Sequence, residues 1–145
     1  MAISHLELRD LSVEFSVRSD ECARRCSINR AYYSAYHAMT AIAHVVPGEE
    51  KRSGDEDIGH YEVVRRLKNF DLCKRSYPRL APLVSRAKKL AGTYRAAMEA
   101  REEADYVLET DIDSSAVEIQ LFRLSRIIEF ADDVQAELRR LGAAK

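Results

Sequence analysis

The sequence predicts an all-α protein, an up-and-down bundle of four to five helices. Three observations carry this. Five glycines and three prolines in 145 residues leave few breakers, while Ala, Leu, Glu and Arg are plentiful. Apolar residues recur at three- and four-residue spacing over most of the chain. The one stretch with strand-like alternation, at the N-terminus, has no second strand to pair with. Residues 1–145 are enough for one domain with a real core.

Ile3 to about Val17 carries Ile3, Leu6, Leu8, Leu11, Val13, Phe15 and Val17, and Leu6, Glu7 and Glu14 tilt it to a first helix. Ser19 and Asp20 can cap a second helix from about Asp20 to Val46, stopped by Pro47-Gly48. Gly48 to Gly59 is polar and glycine-punctuated, so a mobile loop is expected. His60 to Phe70 reads as a short amphipathic helix, and Asp71 to Pro82 as broken by Pro78 and Pro82. Pro82 suits the first turn of a long helix from Leu83 to about Val107. Leu108 to Asp113 links, and Ser115 with Glu118 forms a capping-box pattern for a last helix ending near Gly142.

The second helix sorts into faces. Ile28, Ala31, Tyr32, Ala35, Tyr36, Met39, Ile42, Ala43 and Val46 form one broad apolar arc for the core. Cys26, Arg30, Tyr33, His37 and His44 form a narrow stripe on the other side, flanked by the small residues Ser27, Ser34, Ala38 and Ala41. Small flanks let another backbone come close, from this chain or from a second subunit.

Net charge is −1, so overall charge names no partner. Its distribution is uneven: ten Lys/Arg against Asp71 from Arg65 to Arg95, then twelve acids against Arg101, Arg123 and Arg126 from Glu99 to Glu137. Such halves either bind a polyanion or pair with each other. Three cysteines make no disulfide framework and fit a reducing cytoplasm. The N-terminal residues show no apolar signal core, and no stretch approaches the roughly 20 apolar residues that span a bilayer, so neither secretion nor a membrane partner is expected.

Arg30 and His37 are the strongest candidates. Seven residues on a helix are about two turns and about 10 Å, so both project from nearly one face. A fixed cation beside a group that titrates near neutral pH suits metal-independent RNA cleavage. The ribose 2′-OH loses a proton, the phosphate gains charge and the 5′-oxygen leaves. His37 would act as base or acid and Arg30 would hold the phosphate. One His per chain gives half of an acid–base pair, and dimerisation would bring the other. From spacing alone, a surface Arg and a packed His fit as well.

The segment from Ile28 to Met39, INRAYYSAYHAM, resembles the signature helix of the HEPN family, whose mark is Arg, four to six residues, then His. Gly59-His60 followed by Val63 and Val64 resembles the third-helix entry of its small stand-alone members. Arg101-Glu102-Glu103-Ala104-Asp105-Tyr106 is similar to the R-x-x-A-D-Y they carry before the last helix. The resemblance implies a HEPN-like bundle, a homodimer with Arg30 and His37 of both subunits lining a cleft, and RNA as substrate. It implies an endoribonuclease toxin paired with a nucleotidyltransferase-type antitoxin, or else a non-catalytic module binding a nucleotide or such a partner. Ala31 stands where catalytic members often carry Asn, Asp or His, and Met39 replaces a tyrosine that partners modify in one subgroup.

Supporting candidates are Asn29, Tyr33, Ser34 and Asp105. Asp105 would orient Arg30 or His37, or simply pair with Arg101 at i, i+4. Tyr106 is expected in the core and His44 at the end of the stripe. His60 is expected solvated at a helix start, unless the third helix packs beside the second and brings it to the cleft. Cys22 and Cys26 read as buried thiols, because the three or four convergent ligands of a metal site are missing. No cofactor is expected.

Overall fold

In a computed structural model of the chain, which describes residues 3–48 and 58–142, five α-helices pack together: α1 (His5–Ser16), α2 (Glu21–Ile42), α3 (His60–Lys68), α4 (Val84–Tyr106) and α5 (Ser114–Arg140). No strand occurs among the described residues. Most of the expected Gly48–Gly59 loop lies outside them.

The helix starts follow capping chemistry. Ser4 and Glu7 form a reciprocal capping box on α1, and Asp20 accepts from the Ala23 N–H at α2. α5 departs from expectation. Asp113, not Ser115, is its cap: Asp113 accepts from the Ala116 N–H at 2.9 Å, and the Ser115 hydroxyl donates to the same carboxylate oxygen at 2.8 Å. A carboxylate accepts both donors at once and serves the helix N-terminus better than a hydroxyl. Pro82 also departs. It sits in a 3₁₀ turn (Pro78–Leu83) that precedes α4, so its missing N–H spares an α-helical bond.

α2 is the central helix and packs against α1, α4 and α5. All nine residues of its apolar arc are buried. Seven of them share one core cluster with Val63, Val64 and Leu67 of α3, Tyr94 and Met98 of α4, and Ile127, Phe130 and Val134 of α5, while Ile28 packs with Ala104, Ile112 and Val117. The α-helix tightens to 3₁₀ at Ala43–Val45, short of the expected Val46. Arg66 donates to the Ala43 carbonyl at 3.0 Å and Arg65 to the Pro47 carbonyl at 3.1 Å, so α3 holds this end of α2. Glu62 accepts from both arginines, at 2.7 and 2.9 Å.

α1 settles the small flank of α2. Leu8, Leu11, Ser12 and Phe15 turn inward at helical spacing. Ser12 and Ser27 exchange hydroxyl bonds with each other's backbone carbonyls at 2.7 and 2.8 Å. Ser34 donates to the His5 carbonyl at 2.6 Å. The close neighbour on this side is therefore a helix of the same chain.

Candidate functional site

Asn29, Arg30, Tyr33 and His37 are half-buried along α2. The last turns of α4 come alongside because Arg25, one turn before Asn29, ties down the α4–α5 link. Its guanidinium donates to the carbonyls of Ala104 (2.9 Å) and Val107 (3.2 Å) and to that of Thr110. Arg24 donates to the Ile112 carbonyl at 2.6 Å. These arginines satisfy carbonyls that the end of a helix leaves open.

This brings Asp105 to Asn29. The Asn29 amide donates to both Asp105 oxygens, at 3.2 and 2.9 Å. The Asn29 oxygen accepts in turn from the Arg30 guanidinium. Arg101 lies 3.6 Å from the Asp105 oxygen that takes the shorter Asn29 bond. Four side chains thus form one line: Arg101, Asp105, Asn29, Arg30. Among the described residues, Arg30 has no carboxylate within ion-pair distance.

Arg101 is only 8% exposed. Its guanidinium carbon lies over the rings of Tyr32 (5.4 Å), Tyr33 (5.8 Å) and Tyr106 (5.9 Å). Its Nε is buried with no hydrogen-bond partner among the described residues. Burial opposes its charge, but Tyr33 and Asp105 outweigh burial and hold its pKa above the ordinary arginine value.

His37 packs its ring against Tyr36, with centroids 5.5 Å apart. Its imidazole makes no hydrogen bond among the described residues; beyond the helix's own backbone bonds, its carbonyl accepts from the Thr40 hydroxyl at 3.0 Å. Asp105 therefore reaches Arg30 through Asn29 and does not hold the His37 ring.

Several expectations need correction. Ser34 is fully buried under α1, because its hydroxyl is needed by the His5 carbonyl; it does not face the stripe. Tyr106 is 74% exposed, because it ends α4 and lies over Arg101 from the solvent side. Cys22 is exposed and Cys26 half-buried; only Cys73 is a buried thiol. His44 is exposed, its ring edge-on to Tyr77 at 6.4 Å.

His60 is not a solvated helix start. Its Nδ1 lies 2.5 Å from the Tyr32 hydroxyl, which is 3.1 Å from the Tyr94 hydroxyl. Its ring lies 4.4 Å from Tyr36 and 6.2 Å from Tyr33. The signal was in the spacing: His60, Val63, Val64 and Leu67 share one helical face, and the latter three are core residues. Burial pushes the Tyr32 hydroxyl up to about 12, although the Tyr94 bond pulls the other way, so it stays protonated at neutral pH.

The basic stretch is largely answered by acids. Arg86 pairs with Asp133, Arg79 with Glu137 at 3.7 Å, and Lys88 with Asp71 at 3.5 Å. Among the described residues, no three His, Cys, Asp or Glu side chains gather as metal ligands. No helix there is long and apolar enough to cross a membrane.

The site offers an aimed cation, a half-buried imidazole with open nitrogens, and a half-buried tyrosine between them. Comparison with protein-family models, with curated proteins and with solved structures finds no match to this chain.

Proposed function

We propose that the chain is a HEPN-type, metal-independent endoribonuclease, the toxin of a toxin–antitoxin pair, acting as a homodimer. The observation that carries this reading is that Arg30 is oriented by a neutral amide and opposed by no described carboxylate, two turns from His37 on one stripe of α2. A cation held that way keeps its full attraction for a phosphate. His37 takes the 2′-OH proton or protonates the leaving 5′-oxygen, and the same residue of a second subunit does the other. The 2′-oxygen forms a bond to phosphorus as the 5′-oxygen bond breaks, leaving a cyclic phosphate and a 5′-hydroxyl. Arg30 stabilises the charge gained on the phosphate.

The second reading is a non-catalytic HEPN module that binds a nucleotide or a nucleotidyltransferase partner in the cytoplasm. It is favoured by the His37 ring, which has no described hydrogen-bond partner to fix its tautomer, whereas general acid–base groups are normally oriented.

Total RNA incubated in EDTA separates the two. The nuclease reading expects cleavage by the wild type and none by His37→Ala. Cleavage that survives the substitution removes His37 from the mechanism, and intact RNA with clean wild-type protein favours the binding module. Toxicity on expression, relieved by Arg30→Ala, supports the toxin role. A monomer in sizing columns excludes a composite site.

A further inference from the structure

Arg30 takes its direction from Asn29, and Asn29 takes its own from Asp105 and Arg101. We propose that Asn29 is a neutral coupler that aims Arg30 without neutralising it, and that Arg101 is a positioning residue acting on Arg30 through Asp105 and Asn29. The coupler rests on the reading of Arg30 as a phosphate contact; the positioning by Arg101 does not.

A carboxylate bonded to Arg30 would fix it equally well, but an incoming phosphate would then compete with a charge already in place. An amide oxygen accepts from the guanidinium and carries no net charge. Its amide end needs an acceptor of its own, and Asp105 receives it with both oxygens. That leaves the Asp105 charge near the site, and Arg101 offsets it at 3.6 Å. The four groups then sum to a single positive charge, and Arg30 is its more accessible carrier.

The burial of Arg101 points the same way. It is a cation 8% exposed among three tyrosine rings, with its Nε unsatisfied. A buried donor without a partner is costly, and a purely packing residue at this position would avoid the cost. The rings hold the guanidinium beside Asp105.

The test uses the full chain carrying His37→Ala, so that RNA is bound but not cut, and a fluorescein-labelled ten-nucleotide oligouridylate as probe. Arg30→Ala is expected to weaken binding about tenfold and to lower the salt slope by about 0.7, one single-strand phosphate contact. Asn29→Asp should do the same while leaving Arg30 ordered. So should the swap Asn29→Asp with Asp105→Asn, which keeps a hydrogen bond between the two positions and moves the charge next to Arg30. Order is read from the Arg30 Nε–Hε resonance in proton–nitrogen spectra. That resonance should be resolved in the parent protein and collapse to the exposed-arginine position in Asp105→Ala and Arg101→Leu. Arg101→Lys should restore it in part, and thermal melts report which variants fold.

Unchanged RNA affinity in Asn29→Asp and in the swap, with Arg30→Ala weak, overturns the neutral coupler. An Arg30 resonance indifferent to Arg101 and Asp105 overturns the positioning role. An Arg30→Ala protein that binds RNA normally refutes the phosphate contact instead, and the resonance still decides whether Arg101 positions Arg30.

Discussion

Ser12 and Ser27 each donate a hydroxyl to the other's backbone carbonyl across the α1–α2 contact, and both are fully buried. The pair brings two helix backbones close, as small residues allow. Replacing either by Ala loses one hydrogen bond, worth about 1 kcal/mol, or about 3 °C in Tm for a domain of this size. A double-mutant cycle should show coupling, because the hydroxyls also lie 3.2 Å from each other. Ser27→Leu should cost more, by forcing α1 off α2. Thermal melts check all three.

Arg25 should matter for the link after α4 more than its place in sequence suggests. It donates to the carbonyls of Ala104, Val107 and Thr110 and pairs with Glu21 at 2.8 Å. Arg25→Ala should destabilise by about 2 kcal/mol. It should also speed amide exchange over residues 107–112 while leaving the α5 core protected. Arg25→Lys should rescue little, because an ammonium cannot fork across several carbonyls.

Glu62 makes part of the stability acid-sensitive. Its carboxyl is pulled down from 4.5 to about 2, chiefly by the Arg65 hydrogen bond, with burial opposing and Arg66 adding to the pull. A depressed carboxyl stabilises the fold fully above its unfolded pKa, and the contribution fades as pH falls towards 2. Glu62→Gln should therefore be less stable than wild type at pH 7, with the difference shrinking from pH 4.5 down to 2. Urea titrations at four pH values across that range measure it.

Tyr32 and Tyr94 do the opposite at high pH. Burial pushes the Tyr32 hydroxyl up to about 12 and that of Tyr94 higher still. Groups that hold protons more tightly when folded stabilise below the unfolded value of 10 and lose that stabilisation as pH rises beyond it. Tyrosinate absorbance at about 295 nm should show Tyr32 and Tyr94 ionising only on unfolding, a signal that Tyr32→Phe reduces. Tyr32→Phe should cost about 1 to 3 kcal/mol at neutral pH, because it leaves the Tyr94 hydroxyl buried without that partner.

Residue type decided α1, while periodicity determined the helices from α2 onward, because a 3.6-residue repeat is a local property of the chain. It also determined which side of α2 is core, and all nine arc residues are buried. It placed Arg30, Tyr33 and His37 on one stripe for the same reason. What covers that stripe and its flanks was not local. Ser34 looked like a neighbour of the site until α1 took its hydroxyl. Tyr106 has the composition of a core residue, but its helix ends there and leaves it outside. Cys22 shows the same limit, since a thiol's burial depends on which helix lies over it. His60 was placed by packing: α3 turns its first residue into the tyrosine cluster, and only the position of α2 decides that Tyr32 waits there. The line from Arg101 to Arg30 spans residues more than 70 apart in sequence, joined because Arg25 and Asp105 fix the end of α4 against α2. Helix identity follows from short-range spacing; the aim of a guanidinium follows from hydrogen bonds between segments that only the folded chain brings together.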